Sequence, residues 1–365
     1  MAQTRQSGFT RKGWAQKGGG VSLVADPARS APGGAVASGR WRGWFFGIML
    51  VGALVAAVLR RHEIAHLLML VGKASPDWLA AALGLQILTY VALALGWQAV
   101  LRHAGHPQPM PRLLRIAITK LFADQALPSA GLGGNVVLVD QLMLNGVPRG
   151  ASVAALILSM IGFYAAYAVF AVAMLALLWL HGHVMLWITG LVSLFLLVAM
   201  AIPGTALWLR QRGRHPLPRW MAKLGFVRDL LVTVGEAPGA LLRDRPLIAQ
   251  VTFWNALIFL LDAFTLLACL RALGQVSAGQ NTGLWAELVT AYIAFMMASI
   301  VITLGPVPLG LGSFEATCTL MLSLMGVPSG TGLAATLLLR VLTLWLPLLP
   351  GLMLMRRAIA PHPDG

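Results

Sequence analysis

Charged residues are scarce in this 365-residue chain: Asp, Glu, Lys and Arg make up 11% of it, whereas 58% of the residues are hydrophobic. A water-soluble protein of this length needs far more polar surface to cover its core. The composition therefore excludes a soluble globular domain and indicates a polytopic membrane protein. Acidic residues are rarest, with 12 against 27 basic ones, so the formal net charge is +15.

Cysteines and several catalytic motifs are also few or missing. The two cysteines, Cys269 and Cys318, lack the CxxC spacing of a disulfide framework or a zinc cluster. The chain has no G-x-S-x-G or Walker A motif, and no Rossmann fingerprint in a strand–helix setting. Its basic residues come without a groove-reading motif, which argues against a nucleic-acid partner. We expect no cofactor and no metal.

Long apolar runs define the predicted fold, which is all-α. A run must span about 30 Å at about 1.5 Å per residue to cross a bilayer. Seven runs are long enough or nearly so, and one broken segment could add an eighth span. They lie near 43–59, 78–101, 152–178, 184–207, 247–270, 285–304 and 332–355.

Shorter apolar segments adjoin two Gly-rich breaks. The breaks read LPSAGLGG from Leu127 and GPVPLGLG from Gly305, and the segments cover 111–126, 135–145 and 314–325. Hydrocarbon does not tolerate the unpaired backbone groups of an interrupted helix, so such segments must be buried in protein or line a wet cavity. We therefore predict two re-entrant half-helix hairpins whose tips are these breaks.

The two breaks belong to an internal repeat at a spacing of 180 residues. Each copy has a Gly-rich break and then Gly-Val-Pro before a long apolar helix, which gives repeat units of about 111–180 and 291–357. Paired Gly/Pro-interrupted segments in two halves of a membrane protein indicate a substrate site. The sequence leaves open whether the repeat is inverted or parallel. The matched residues are Pro128, Leu144, Gly146, Val147, Pro148, Gly150, Ala154, Ala155 and Leu158 with Pro308, Leu324, Gly326, Val327, Pro328, Gly330, Ala334, Ala335 and Leu338.

Charge asymmetry predicts the topology. We expect residues 1–40 to be a disordered, basic cytoplasmic tail, 41–357 to form the transmembrane domain, and 358–365 to be a C-terminal tail. The basic stretch from Arg210 to Arg245 should also be cytoplasmic. The predicted protein is thus a multi-pass protein of a prokaryotic cytoplasmic membrane, with its N-terminus in the cytoplasm.

The second break carries a family resemblance. Its turn, a following Glu, Gly-Val, an Arg in the last helix and a Pro-Gly exit resemble the signature of the lysylphosphatidylglycerol synthase transmembrane region, also called the flippase-like domain family. The first break resembles the family's central motif, and Trp97 resembles a Trp near the end of the second span. Asn135 departs from the pattern, because an acidic residue is common there. The matching residues are Pro308, Gly310, Gly312, Glu315, Gly326, Val327, Arg340, Pro350 and Gly351, with Leu127, Pro128, Gly133, Gly134 and Asn135 in the first copy.

This resemblance covers roughly residues 43–357 and implies lipid binding or translocation. The longest members add a soluble domain that transfers lysine from aminoacyl-tRNA to phosphatidylglycerol. The chain stops at Gly365, so the resemblance implies no transferase and no enzyme. The implied partners are a phosphate-bearing or isoprenoid-related envelope lipid and enzymes of lipid biosynthesis, with the oligomeric state open. The implied substrate-binding residues are Pro128, Gly133, Gly134, Asn135, Pro308, Gly310, Gly312, Glu315 and Arg340.

Charged residues inside apolar stretches lead to a similar site. Such residues are costly in a bilayer, so they pair with each other or line a cavity. Glu315 lies at a helix start, where the helix dipole favours an anion. Arg340 would suit bidentate capture of a lipid phosphate. Alternatively, Glu315 and Arg340 form a purely structural pair, or Asp262 pairs with Arg340. Lys120, Asp124 and Asp140 are further charges in or against apolar stretches.

Two other functions remain as alternatives. His62-Glu63-Ile64-Ala65-His66 matches the H-E-x-x-H pattern of an intramembrane zinc metalloprotease. A third metal ligand is not evident in the sequence, so we expect His62 and His66 at the membrane interface or in solvent. The other alternative is a non-transporting scaffold in lipid biosynthesis.

Overall fold

A computed structural model describes residues 72, 74–126, 132–180, 185–212, 239–274, 283–305, 310–348 and 350–351. Within these ranges every regular element is helical, as the sequence predicts. The α-helices are α1 (Pro76–His103), α2 (Met110–Ala126), α3 (Leu132–Leu144), α4 (Arg149–Leu180), α5 (Leu186–Arg212), α6 (Arg245–Ala272), α7 (Leu284–Leu304), α8 (Ser313–Leu324) and α9 (Ser329–Arg340).

Four of these helices, α1, α4, α6 and α7, are long and apolar enough to cross a membrane. They confirm four of the predicted spans. Helix α5 has a shorter apolar part, Leu186–Ala201, and the last predicted run forms α9 and a π-helical segment, Val341–Trp345. The predicted span at 43–59 lies outside the described residues.

Helix α6 is the centre of the described fold, because it packs against α1, α4, α7 and α9. It runs antiparallel to α1, and one end of the pair is joined by a 2.7 Å hydrogen bond from the Ser75 N–H to the Ala272 carbonyl. Helix α4 approaches α6 closely at Gly162, where an added Cβ would lie 3.1 Å from the Thr252 nitrogen. Small residues at such crossings let membrane helices pack backbone to backbone.

The other end of the α1–α6 pair is basic. One hydrophobic cluster contains Leu101, Leu113, Leu142 and Leu247, so it joins the end of α1, the start of α2, the end of α3 and the start of α6. We call this the basic end, because five arginines begin or end the helices there: Arg102, Arg112, Arg149, Arg243 and Arg245.

The opposite end carries the start of α7. There Arg271, at the end of α6, forms an ion pair with Glu287, at the start of α7, with 2.7 Å between Nη2 and Oε2. The first repeat unit therefore starts at the basic end with α2, whereas the second starts at the opposite end with α7.

The first Gly-Val-Pro corner is a Schellman motif that ends α3. The Val147 N–H donates to the Leu142 carbonyl at 3.1 Å, and the Gly146 N–H donates to the Met143 carbonyl at 2.9 Å. Gly146 has φ 80°, a left-handed conformation that other residues rarely adopt. Pro148 follows and leads into α4.

The second corner, at the end of α8, has the same hydrogen bonds 180 residues later. The Val327 N–H donates to the Leu322 carbonyl at 3.0 Å, the Gly326 N–H donates to the Ser323 carbonyl at 3.1 Å, and Gly326 has φ 89°. Val327 and Leu322 are buried in one cluster. The two Gly-Val-Pro corners therefore take the same local shape.

Candidate functional site

The structure describes most of the predicted site residues. Gly133, Gly134 and Asn135 lie in the first turn of α3. Gly310 and Gly312 precede α8, Glu315 is its third residue, and Arg340 ends α9. Pro128 and Pro308 lie outside the described residues, as do His62, Glu63 and His66.

Glu315 and Arg340 form a buried ion pair. Arg340 Nε donates to Glu315 Oε1 at 2.8 Å, and the two side chains are only 8% and 14% exposed. The Arg340 guanidinium also lies over the Phe314 ring, with its Cζ 4.8 Å from the ring centroid. The alternative in which Asp262 pairs with Arg340 is not what the structure shows.

Glu315 has a second contact that fixes its position. Its Oε2 accepts from the Gly312 N–H at 2.7 Å, which satisfies a backbone donor at the start of α8. This is the carboxylate half of a capping box. A single carboxylate therefore both caps α8 and holds Arg340.

The turn before α8 requires glycine at two positions because the backbone there has positive φ angles. Gly310 and Gly312 have φ 62° and 84°. At Gly310 an added Cβ would also overlap the side chain of Ile302 on α7. The Ser313 hydroxyl donates to the Gly310 carbonyl at 3.1 Å and closes the turn. These glycines bring the start of α8 close to α7, so the motif has a structural role independent of any ligand.

The first break has a comparable arrangement built from a different helix. Asp124 Oδ1, near the end of α2, accepts from the Gly134 N–H at 3.1 Å. Asp124 Oδ2 accepts from Lys120 Nζ at 2.6 Å. Gly134 has no room for a Cβ, because that atom would overlap the Asp124 carboxylate.

Each break thus has a carboxylate that caps the following helix and pairs with a cation. In the second copy the acid is Glu315, whereas the matching position in the first copy is Asn135. Asn135 is not acidic, and Asp124 takes the role of the acid instead. Asp124 lies ten residues before Gly134, whose N–H it accepts. The sequence pattern identifies Lys120 and Asp124 as charges in an apolar segment but does not place them at the site. Their i,i+4 spacing just before the break was the available signal.

The end of α2 also contacts the segment after Arg340. Gln125 Nε2 donates to the Thr343 carbonyl at 3.2 Å. In an α-helix that carbonyl would accept from residue 347, but Pro347 has no N–H, and Thr343 lies in the π-helical segment Val341–Trp345. Gln125 supplies a donor that Pro347 cannot. This contact brings the first break next to the helix that carries Arg340.

A family model for the lysylphosphatidylglycerol synthase TM region matches residues 44–351. The chain belongs to this family. The match confirms the resemblance found in the motifs, and it indicates a lipid-related function in a membrane. No curated protein matches the chain.

Trp97, the other residue of the family resemblance, has a packing position in the structure. Its side chain is fully buried, and its indole Nε1 donates to the Ser159 hydroxyl of α4 at 3.3 Å. Buried indole N–H groups usually find such an acceptor. Trp97 therefore joins α1 to α4.

Proposed function

We propose that this family member binds a polar, phosphate-bearing lipid and moves its headgroup across the cytoplasmic membrane without a covalent reaction. The observation that carries the proposal is a pair of helix breaks, each with a buried or half-buried carboxylate–cation pair, linked by the hydrogen bond from Gln125 at the end of α2 to the Thr343 carbonyl beyond Arg340. Glu315–Arg340 belongs to one break and Lys120–Asp124 to the other. Intramembrane charges that face a protein interior are typical of substrate pathways.

The depth of the charges supports this reading. Arg340 lies 11 residues along α9 from Ser329, or about 16 Å at the rise of an α-helix. Lys120 lies ten residues along α2 from Met110, or about 15 Å. Since a bilayer core is about 30 Å thick, both cations lie near its middle.

The directions of the helices support re-entrant hairpins of opposite orientation. The start of α2 and the end of α3 share the basic end, so the first unit enters and leaves on one side. The second unit starts at the opposite end with α7. We infer an inverted repeat, with the basic end facing the cytoplasm because Arg-rich ends stay inside.

The chemistry at the breaks suits an anion that must be released again. Helix N-termini, such as those of α3 and α8, favour a phosphate. Arg340 and Lys120 supply positive charge, and their carboxylate partners hold them in place. A bound phosphate would compete with Glu315 for the Arg340 guanidinium. This competition allows binding without trapping the lipid.

The test is translocation of a fluorescent phosphatidylglycerol by purified full-length protein in vesicles. We expect wild type to move the labelled headgroup between leaflets and Arg340→Lys to lose most of this activity, because Lys keeps the charge but not the planar fork. Arg271→Lys is the matched control, since Arg271 also pairs with a glutamate but at the far end of α6.

Two results would contradict the proposal. If wild type binds labelled lipid but never moves it, the protein acts as a scaffold and not a transporter. If Arg340→Lys and Arg271→Lys reduce translocation equally, the Glu315–Arg340 pair is not the lipid site.

A further inference from the structure

A second polar group lies between α1 and α6, away from both breaks. Asp262 Oδ1, the Tyr90 hydroxyl and Gln86 Oε1 are buried atoms without a hydrogen-bond partner. Gln86 and Tyr90 are only 4% and 9% exposed. The Tyr90 hydroxyl lies next to the Gln86 side chain and within electrostatic reach of Asp262. Buried polar atoms are normally paired, so three unpaired oxygens in one place indicate a missing proton or ligand.

The register of the two helices places this group in the middle of the membrane. The Ser75–Ala272 hydrogen bond fixes one end of the antiparallel pair. Asp262 lies ten residues before Ala272, and Gln86 lies 11 residues after Ser75, so each is about 15–17 Å from that end. About half of a 30 Å hydrocarbon core separates both side chains from the nearest interface.

No described cation faces Asp262 from the helices that pack against α6. On α1 the titratable neighbour is Tyr90. On α4, Tyr167 hydrogen-bonds to Thr303, and on α7 the Tyr292 hydroxyl donates to the Phe170 carbonyl. On α9, Arg340 is held by Glu315. An ionised Asp262 would therefore lack a counter-charge among the described residues.

The orientation of Gln86 leaves its side-chain oxygen without a donor. Gln86 Nε2 donates to the Thr89 hydroxyl at 3.1 Å, which leaves Gln86 Oε1 as an acceptor without a donor. The Thr89 hydroxyl in turn donates to the Gln86 backbone carbonyl at 2.7 Å. The amide is thereby held with its oxygen unpaired. Tyr90, the neighbour of this side chain, is also the group that faces Asp262, so the three side chains form one polar group.

We propose that Asp262, Tyr90 and Gln86 form a proton-binding site in the middle of the membrane and that proton binding drives lipid movement. With the proton bound, Asp262 becomes a donor, and small side-chain shifts let the Tyr90 hydroxyl and Gln86 Oε1, which have no partner in the structure, bond in the network around it. When the proton leaves to water, Asp262 can only accept, and the Tyr90 hydroxyl is the donor beside it. The coupling rests on the proposed lipid function, and α6 transmits it because α6 packs directly against α9, which carries Arg340.

The proton site is tested directly by infrared difference spectroscopy of the full-length protein between acidic and alkaline pH. We expect a carbonyl band of a protonated carboxylic acid that disappears as pH rises and is absent in Asp262→Asn. Asp140→Asn, a change at an exposed aspartate on α3, should retain the band. Tyr90→Phe keeps the packing and should shift the band. A band that persists unchanged in Asp262→Asn overturns the proposal.

Coupling is tested with the vesicle assay under an imposed proton gradient. The gradient should stimulate lipid movement in wild type and in Asp140→Asn, and this stimulation should be lost in Asp262→Asn. If only a sodium gradient stimulated lipid movement, the coupled ion would be a metal cation and not a proton, and the proposal would be wrong. Gradient-insensitive lipid movement would refute the coupling. A proton site assigned to Asp262 without any lipid movement would instead refute the proposed function and leave the proton site standing.

Discussion

Glu315 and Arg340 are 25 positions apart in sequence and are joined by a 2.8 Å hydrogen bond between Oε1 and Nε. The same carboxylate accepts the Gly312 N–H at 2.7 Å. Arg340 is thereby tied to the backbone at the start of α8 through one side chain. A change at either residue alters both the end of α9 and the turn between α7 and α8.

Removing Arg340 should therefore destabilise the fold strongly. In Arg340→Ala the Glu315 carboxylate stays buried without its cation, which typically costs about 3–5 kcal/mol. Thermal unfolding in detergent should show a large loss. Arg102→Ala, at the exposed basic end, should change the unfolding temperature little. Equal losses in Arg340→Ala and Arg102→Ala would show that the pair does not stabilise the protein.

Gly134→Ala should damage the first break. The new Cβ would overlap the Asp124 carboxylate, so Asp124 must move and the Gly134 N–H loses its acceptor. We expect a loss of about 1–3 kcal/mol, the usual cost of an unpaired buried polar group. Denaturant unfolding in detergent measures it.

Gly190→Ala is the control for that experiment. Gly190 lies in helix α5, and a Cβ there would meet nothing within 4 Å. Alanine at that position should stabilise the helix by about 0.5–1 kcal/mol. If Gly134→Ala behaved like Gly190→Ala, the close approach of Asp124 to Gly134 would be refuted.

Sequence was sufficient for the features that depend on neighbouring residues. The long apolar runs predicted α1, α4, α6 and α7, because backbone hydrogen bonds must be satisfied inside one segment in hydrocarbon. The Gly-Val-Pro pattern predicted both corners, because a left-handed Gly followed by an apolar residue and Pro is a local helix stop. The Glu315–Arg340 contact was one of the stated alternatives.

Features that depend on how helices meet were not predictable in the same way. The i,i+4 spacing of Lys120 and Asp124 indicates their ion pair, but nothing within α2 reveals that Asp124 caps α3. The grouping of Gln86, Tyr90 and Asp262 depends on the register of α1 against α6, which the Ser75–Ala272 hydrogen bond fixes. Such contacts need the packed structure.

The two corners should respond alike to substitution. Gly146 and Gly326 have open space around the position of a Cβ, so alanine there costs only the left-handed conformation. We expect about 1–2 kcal/mol for each alanine and less for asparagine, which tolerates that conformation. Unfolding of the four single variants measures this. Clearly unequal costs at the two sites would contradict the structural equivalence of the repeat.

The contact between Gln125 and Thr343 can be tested by a double-mutant cycle with Pro347. Gln125→Leu removes the donor and leaves the Thr343 carbonyl unpaired, which should cost about 1–3 kcal/mol. Pro347→Ala restores a backbone N–H four residues after Thr343, so it offers that carbonyl a helical partner.

In the double variant the new N–H should replace the lost amide. Gln125→Leu should therefore cost clearly less in the Pro347→Ala background than in wild type, by an interaction energy of at least about 0.5 kcal/mol. Gln98→Leu is the control, since Gln98 Nε2 also donates to a backbone carbonyl, that of Gln108, with no proline involved. Its cost should be the same in both backgrounds. Strictly additive losses for Gln125→Leu and Pro347→Ala would mean that Gln125 does not substitute for the missing donor of Pro347, and that the first break and the Arg340 helix are joined in some other way.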